Sequence, residues 1–294
     1  MKTLPALAYS LLCVTGLSFT PRLQAELLVY EGFNYGGSDI DLTSTTVATN
    51  NTGFKGDYTS VGASSNLDYL SSGGLDFSSN FLAGTGGGIS GSVTGNNDQA
   101  TLQATLDLSA AHTGTLYQSF LMEFSTYTTD AVLVSRLYNV STRLQTALDG
   151  GQVAGVGYDN TRTKGSGTIS LGTTYLAVSR FTNVNGAGGG NADVFFFTET
   201  SYDNWFAAGK LEADLGTYAN FSASETSTSV SSFATNDTMA IVLYRPTAAG
   251  TLTAGYDELR IGTSLEDVMY TVPEPSSAVL IFISFGLLLL FKKK

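Results

Sequence analysis

Short apolar or β-branched runs alternate along this chain with clusters of Gly, Asn, Asp and Ser, and no window between its two ends sustains a long 3.6-residue apolar period. That pattern leaves strands as the main building material. From Ala100 to Leu108, Leu102, Ala104, Leu106 and Leu108 fall on one face, and Thr101, Gln103, Thr105 and Asp107 on the other. This is the period-2 alternation of a half-buried strand. From Thr115 to Phe124, Leu116, Phe120, Met122 and Phe124 share a side. Residues 131–140, 174–181, 194–197 and 239–244 read as further strands. The last two are apolar on both faces, as in the middle of a sandwich. Weak helical segments are 202–208 and 264–269, where Ser264 is placed to cap a turn containing Glu266 and Asp267. Residues 183–191 read as a Gly-rich connection and 222–232 as a Ser/Thr-rich loop. The expectation is an all-β, jelly-roll-like sandwich.

The two ends have a different character. Met1 to Ala25 carries Lys2, then an apolar stretch from Leu4 to Phe19, then Leu23-Gln24-Ala25. This is the layout of a secretion signal, cut by signal peptidase after Ala25. At the other end Val272-Pro273-Glu274-Pro275 stops the last strand, because two prolines remove backbone donors. Ala278 to Phe291 then runs without a charge into Lys292, Lys293 and Lys294. A helix over those fourteen residues spans roughly 21 Å, short of a hydrocarbon core of about 30 Å. Snorkelling lysines and local thinning allow insertion, and the terminal cations favour a cytoplasmic C-terminus, with the body outside. The predicted organisation is a signal peptide at 1–25, a β-sandwich at 26–271 and a sorting tail with a hydrophobic helix at 272–294.

Charge and cysteine content narrow the function classes. Of 25 acidic residues only Glu274 lies outside 26–272. Of 14 basic ones, Lys2, Arg22 and Lys292 to Lys294 do. The body thus holds 24 acids against 9 bases, about −15 against −11 for the whole chain. That field repels nucleic acid and anionic membrane surfaces. Cys13, the one cysteine, sits inside the signal segment, so the mature chain has no disulfide, thiolate nucleophile or Cys-ligated metal.

The order Val272-Pro273-Glu274-Pro275, apolar run, terminal lysines resembles the PEP-CTERM sorting signal of Gram-negative and related bacteria. The resemblance implies export across the inner membrane and transient anchoring by the C-terminal helix. It also implies processing by an exosortase near Pro273-Glu274-Pro275, then association with exopolysaccharide at the cell surface or in a biofilm matrix. The body opens on Tyr30-Glu31-Gly32-Phe33-Asn34-Tyr35 and closes on Tyr256-Asp257-Glu258-Leu259-Arg260-Ile261-Gly262-Thr263-Ser264, with Glu266-Asp267-Val268 after it. These ends resemble those of concanavalin/LamG-like jelly rolls, in which the first and last strands lie side by side.

No catalytic constellation stands out. His112 is the one histidine, in a turn-like stretch with no Gly-x-Ser-x-Gly elbow to partner it. Gly86 to Gly91 matches G-x-G-x-x-G only formally, since no helix follows; it reads as a glycine-rich hairpin or loop tip. A glycosidase needs two carboxylates flanking a cleft. Asp257 and Glu258 are adjacent and so point to opposite faces, while Glu212 and Asp214 share a strand parity in a segment of uncertain structure. Tyr202 and Trp205 offer either an exposed sugar-stacking platform or a buried hydrophobic anchor. Asn96-Asn97-Asp98 and Tyr158-Asp159-Asn160 offer oxygen donors but no spaced calcium-ligand pattern, so neither metal nor cofactor is assigned. The reading is a non-enzymatic exported surface or matrix protein. The alternative is a lectin-like carbohydrate-binding module, with a polysaccharide-degrading enzyme disfavoured.

Overall fold

The computed structural model describes residues 26–42, 52–61, 67–81, 87–94, 98–126, 132–138, 143–149, 153–158, 163–165, 167–227, 233–245 and 251–269. The predicted signal segment 1–25, the tail 272–294 and its hydrophobic helix lie outside them. Among the described residues no helix is long and apolar enough to cross a membrane.

Two antiparallel sheets face each other in a β-sandwich. The first contains β1 (Leu27–Glu31), β2 (Ile40–Asp41), β4 (Leu67–Leu70), β5 (Gly88–Thr94), β7 (Gly114–Thr126), β12 (Tyr175–Val184), β13 (Gly190–Phe197), β14 (Phe221–Ser227) and β16 (Thr251–Gly262). Its order is β14-β13-β12-β7-β16-β5-β4-β2, with β1 also pairing β16. The second contains β3 (Phe54–Val61), β6 (Asp98–Leu106), β8 (Val132–Tyr138), β9 (Arg143–Asp149), β10 (Val153–Tyr158), β11 (Thr163–Lys164) and β15 (Thr238–Arg245). Its order is β11-β10-β9-β8-β15-β6-β3.

The alternation legible in the sequence sets the register. Ala100, Leu102, Ala104 and Leu106 of β6 meet Leu116, Phe120, Met122 and Phe124 of β7 in one core, together with Met239, Ile241 and Leu243 of β15. Burying each large side chain contributes about 1.5–3 kcal/mol. One inward stripe is polar. Gln118 of β7 donates to the Ser135 hydroxyl and accepts from Thr146, while Tyr256 donates to Ser135 and Thr146 shares a hydrogen bond with Ser179. These buried groups satisfy one another across the two sheets, which is what makes their burial tolerable.

A helical layer covers the outer face of the larger sheet: α1 (Glu199–Ala207), α2 (Leu215–Tyr218) and α3 (Leu265–Met269). Phe77, Phe81, Tyr202, Trp205, Leu215, Leu265, Val268 and Met269 pack there on Leu121, Leu176, Val178 and Phe197. Helices at 202–208 and 264–269 were legible in outline; their role as a third layer was not.

Two local expectations are corrected. Residues 221–227 form the edge strand β14 rather than a loop, because Phe221 and Ala223 turn inward, Glu225 shares their side and accepts from the Thr163 N–H of β11, and Ser222, Ser224 and Thr226 face outward. Gly88 to Gly91 lies inside β5 rather than at a loop tip. Glycine is required at 87 because a Cβ would fall 2.0 Å from the Leu70 carbonyl oxygen and 2.6 Å from the Tyr69 ring.

Candidate functional site

A transverse polar row crosses the outer face of the larger sheet: Gly262, Tyr117, Arg180, Asp193 and Ser224 are register partners on β16, β7, β12, β13 and β14. Arg180 donates from Nε and Nη2 to one Asp193 oxygen, at 3.1 and 2.7 Å, and Ser224 donates to the other at 2.6 Å. The remaining arm of Arg180 reaches Glu212 Oε1 at 2.8 Å, which also accepts from the Tyr117 hydroxyl at 2.9 Å. Partial burial works against the Arg180 charge, but its bonds to Glu212 and Asp193 outweigh that and hold the guanidinium above its usual value. Burial and then the Glu212 carboxylate push the Tyr117 hydroxyl up to about 12, so it stays a donor at any physiological pH.

Beside this row lies a groove of about 340 Å³ lined by Thr115, Tyr117, Lys210, Glu212, Thr263, Ser264, Leu265 and Glu266. Its wall from α1 is set by a Schellman turn: Gly209 (φ 109°) donates to the Phe206 carbonyl and Lys210 (φ 60°) to that of Trp205. That turn delivers Lys210 and then Glu212, which sits in a 3-10 turn over Glu212–Asp214 rather than on a strand. The opposite wall is a capping box. The backbone N–H and hydroxyl of Ser264 donate to Asp267 Oδ2, and the Asp267 N–H returns to the Ser264 hydroxyl. Ser264, Glu266 and Asp267 were legible as a helix start; Tyr117, Arg180 and Lys210 carried no local motif.

Tyr202 and Trp205 do not form an exposed platform. Both side chains are 0% exposed. Trp205 packs against Phe197 and Tyr202, with its indole N–H donating to the Leu211 carbonyl at 2.9 Å. The Tyr202 hydroxyl donates to the Met269 carbonyl at 2.6 Å. The α1 segment carries too much aromatic surface to leave in water, so the anchor reading of this pair is the one the structure shows. His112 lies in the connection between β6 and β7, its Nε2 2.8 Å from the Thr115 carbonyl oxygen.

A second charged cluster sits where the two ends of the body meet. β1 pairs with β16, opposing Glu31 to Leu259 and Tyr30 to Arg260. Glu31, Asp257, Glu258 and Arg260 are all buried. Glu31 accepts from the Phe33 N–H and from the Tyr35 and Tyr58 hydroxyls. Between Asp257 and Arg260 the register of β16 against β7 shifts, a bulge whose first extra residue, Glu258, takes φ 52°. Glu258 accepts from Arg260 at 3.2 Å and from the Tyr30 hydroxyl at 3.4 Å. Burial and then Glu258 push the Tyr30 hydroxyl up to about 12. Asp257 and Glu258 do not flank a cleft. Among the described residues no group of three His, Cys, Asp or Glu could hold a metal ion. The sorting residues Pro273, Glu274 and Pro275, the cations Lys292 to Lys294 and the cleavage residue Ala25 lie outside the described residues.

No protein-family model matches the sequence, and no curated protein is significantly similar to it. Among solved structures, the binding domain of botulinum neurotoxin serotype C1 aligns at 7% identity and a TM-score of 0.44, over 84% of this chain and 52% of that one. This chain therefore spans about half the length of the neurotoxin domain. Domain 4 of an extracellular arabinanase from Geobacillus stearothermophilus, in complex with arabinotriose, aligns at 14% identity and 0.42, over 84% and 95%. Lectin I from Ulex europaeus, in complex with the methyl glycoside of α-L-fucose, aligns at 10% identity and 0.40, over 76% and 98%.

Proposed function

We propose that the protein is an exported, jelly-roll-like β-sandwich that binds a hydroxyl-rich glycan without turning it over. The groove beside Tyr117 and Glu212 carries the proposal. Its volume of about 340 Å³ suits about one or two sugar rings, at the small end of roughly 300–1,000 Å³ for small-molecule sites. Its lining combines hydroxyls of both donor and acceptor character, carboxylates that accept from neighbouring sugar hydroxyls, an ammonium donor, and the apolar Leu265. Hydrolysis is not part of the reading. Glu212 is committed through one oxygen to Arg180 and Tyr117, and Glu266 is exposed, without the apolar surroundings that tune a catalytic acid.

Lys210→Ala and Glu266→Ala together are expected to weaken binding of a recognised exopolysaccharide fragment at least tenfold, about 1.4 kcal/mol. Their unfolding free energy should stay within about 1 kcal/mol of wild type, the margin covering the Lys210 ammonium lost from over the Phe206 ring at 4.6 Å. Calorimetric titration after a glycan array measures the affinity, and denaturant unfolding measures the stability. A wild-type protein that binds no polysaccharide on the array removes the lectin reading.

The second part of the proposal concerns address. The tail's tripartite order supports exosortase handling after export, leaving the body at the cell surface or in the matrix. Replacing Pro273, Glu274 and Pro275 with alanine is expected to accumulate an uncut, membrane-retained form on fractionation blots. Normal maturation of that variant would refute the sorting assignment.

A further inference from the structure

The first described residue of the body lies at the rim of the groove. Leu27 of β1 pairs with Gly262 of β16, and Glu26 falls opposite Thr263, which lines the groove. These two residues are tied twice. The Thr263 N–H donates to the Glu26 carbonyl at 3.1 Å, and the Glu26 N–H donates to the Thr263 hydroxyl at 3.1 Å in an exposed position. Gly262 is also the register partner of Tyr117, so the start of β1 extends the transverse row beside which the groove lies.

The chemistry of the Glu26 nitrogen therefore bears on the groove. In the uncut chain that nitrogen is an amide with one hydrogen, and the Thr263 hydroxyl takes it. Cleavage after Ala25, the cut predicted from the sequence, turns it into an α-ammonium with three hydrogens and a positive charge. One hydrogen still meets Thr263, and two are left over for acceptors in the groove, as charge-assisted bonds. The nearby carboxylates are engaged or exposed. Asp267 Oδ2 accepts from the Thr263 and Ser264 N–H groups and the Ser264 hydroxyl, and Glu212 Oε1 accepts from Arg180 and Tyr117. Glu266 and Glu26 itself are exposed, where an ion pair holds weakly. Lys210 stands on the opposite wall, so the cut chain offers the groove an ammonium from each side.

We propose, on the glycan reading of the groove, that the α-amino group left on Glu26 by signal cleavage is one of its binding groups, so that the protein takes up its glycan only after export and cutting. The acceptors are hydroxyl or carboxylate oxygens of the sugar. A precursor still joined at Ala25 lacks the charge and the spare hydrogens. It also places a carbonyl carbon about 1.33 Å from that nitrogen, beside Thr263.

Three forms test this, each complete to Lys294 in a detergent without a sugar headgroup: one beginning at Glu26, the same chain with its α-amino group acetylated, and one beginning at Ala25. The probe is the oligosaccharide that the Glu26 form binds most strongly on a printed array of neutral and uronate-bearing glycans. Acetylation and the one-residue extension should each weaken its binding about tenfold, with unchanged denaturant midpoints, and N-terminal sequencing of the exported protein should begin at Glu26. Equal affinities in the three forms overturn the role of the amino group and leave the groove a glycan site. A loss of affinity that merely follows a lowered midpoint overturns it as well, as does a native N-terminus other than Glu26. A Glu26 form that binds nothing on the array overturns both the role and the groove.

Discussion

Trp205→Ala is expected to lower the free energy of unfolding by about 3–5 kcal/mol, the range for deleting a fully buried large aromatic. The indole is 0% exposed, lies 5.7 Å from the Tyr202 ring and 6.3 Å from Phe197, and gives its N–H to the Leu211 carbonyl. Truncation leaves a cavity between α1 and the sheet and orphans that carbonyl. Denaturant unfolding followed by far-ultraviolet circular dichroism measures the loss, since the substitution removes the chain's single tryptophan. The same substitution separates two roles for the residue. A surface platform for sugar stacking would leave stability within about 0.5 kcal/mol and abolish glycan binding instead. A loss below about 1 kcal/mol would mean that the helical layer does not depend on this side chain.

The sandwich was legible because period 2 is a strong signal where one face is buried. β6 and β7 follow the sequence pattern almost residue by residue, and Gln118 interrupts β7 only because a buried hydroxyl pair awaits it on the other sheet. Edge strand β14 was illegible because Ser and Thr at an edge carry little apolar contrast, leaving Phe221 and Ala223 as the inward signal. The groove was illegible for another reason. Tyr117, Arg180 and Glu212 are far apart in sequence, and each is ordinary in its own segment. Strand register alone brings the first two together, and a Schellman turn after α1 adds the third. The matching ends of the body were conspicuous as motifs, yet Asp257-Glu258 misled as an alternating pair. A bulge with one residue at positive φ breaks the parity rule and buries both carboxylates.

Those ends carry the second large effect. Glu31→Ala is expected to cost about 3–5 kcal/mol, because the carboxylate is 0% exposed and accepts from Phe33 N–H at 2.7 Å, Tyr58 at 2.7 Å and Tyr35 at 3.1 Å. Each donor left buried without an acceptor costs about 1–3 kcal/mol, and removing a buried charge returns part of the total. The Phe33 N–H matters most, since that residue is held at φ 45°, a region bulky side chains avoid. Glu31→Gln should cost less, keeping one acceptor but turning an NH₂ toward donors. Tyr58→Phe removes a single donor and should cost least, so a double-mutant cycle with Glu31→Ala isolates that bond. Stability of Glu31→Ala within about 1 kcal/mol of wild type would mean that β1 is held to β16 by its backbone ladder alone.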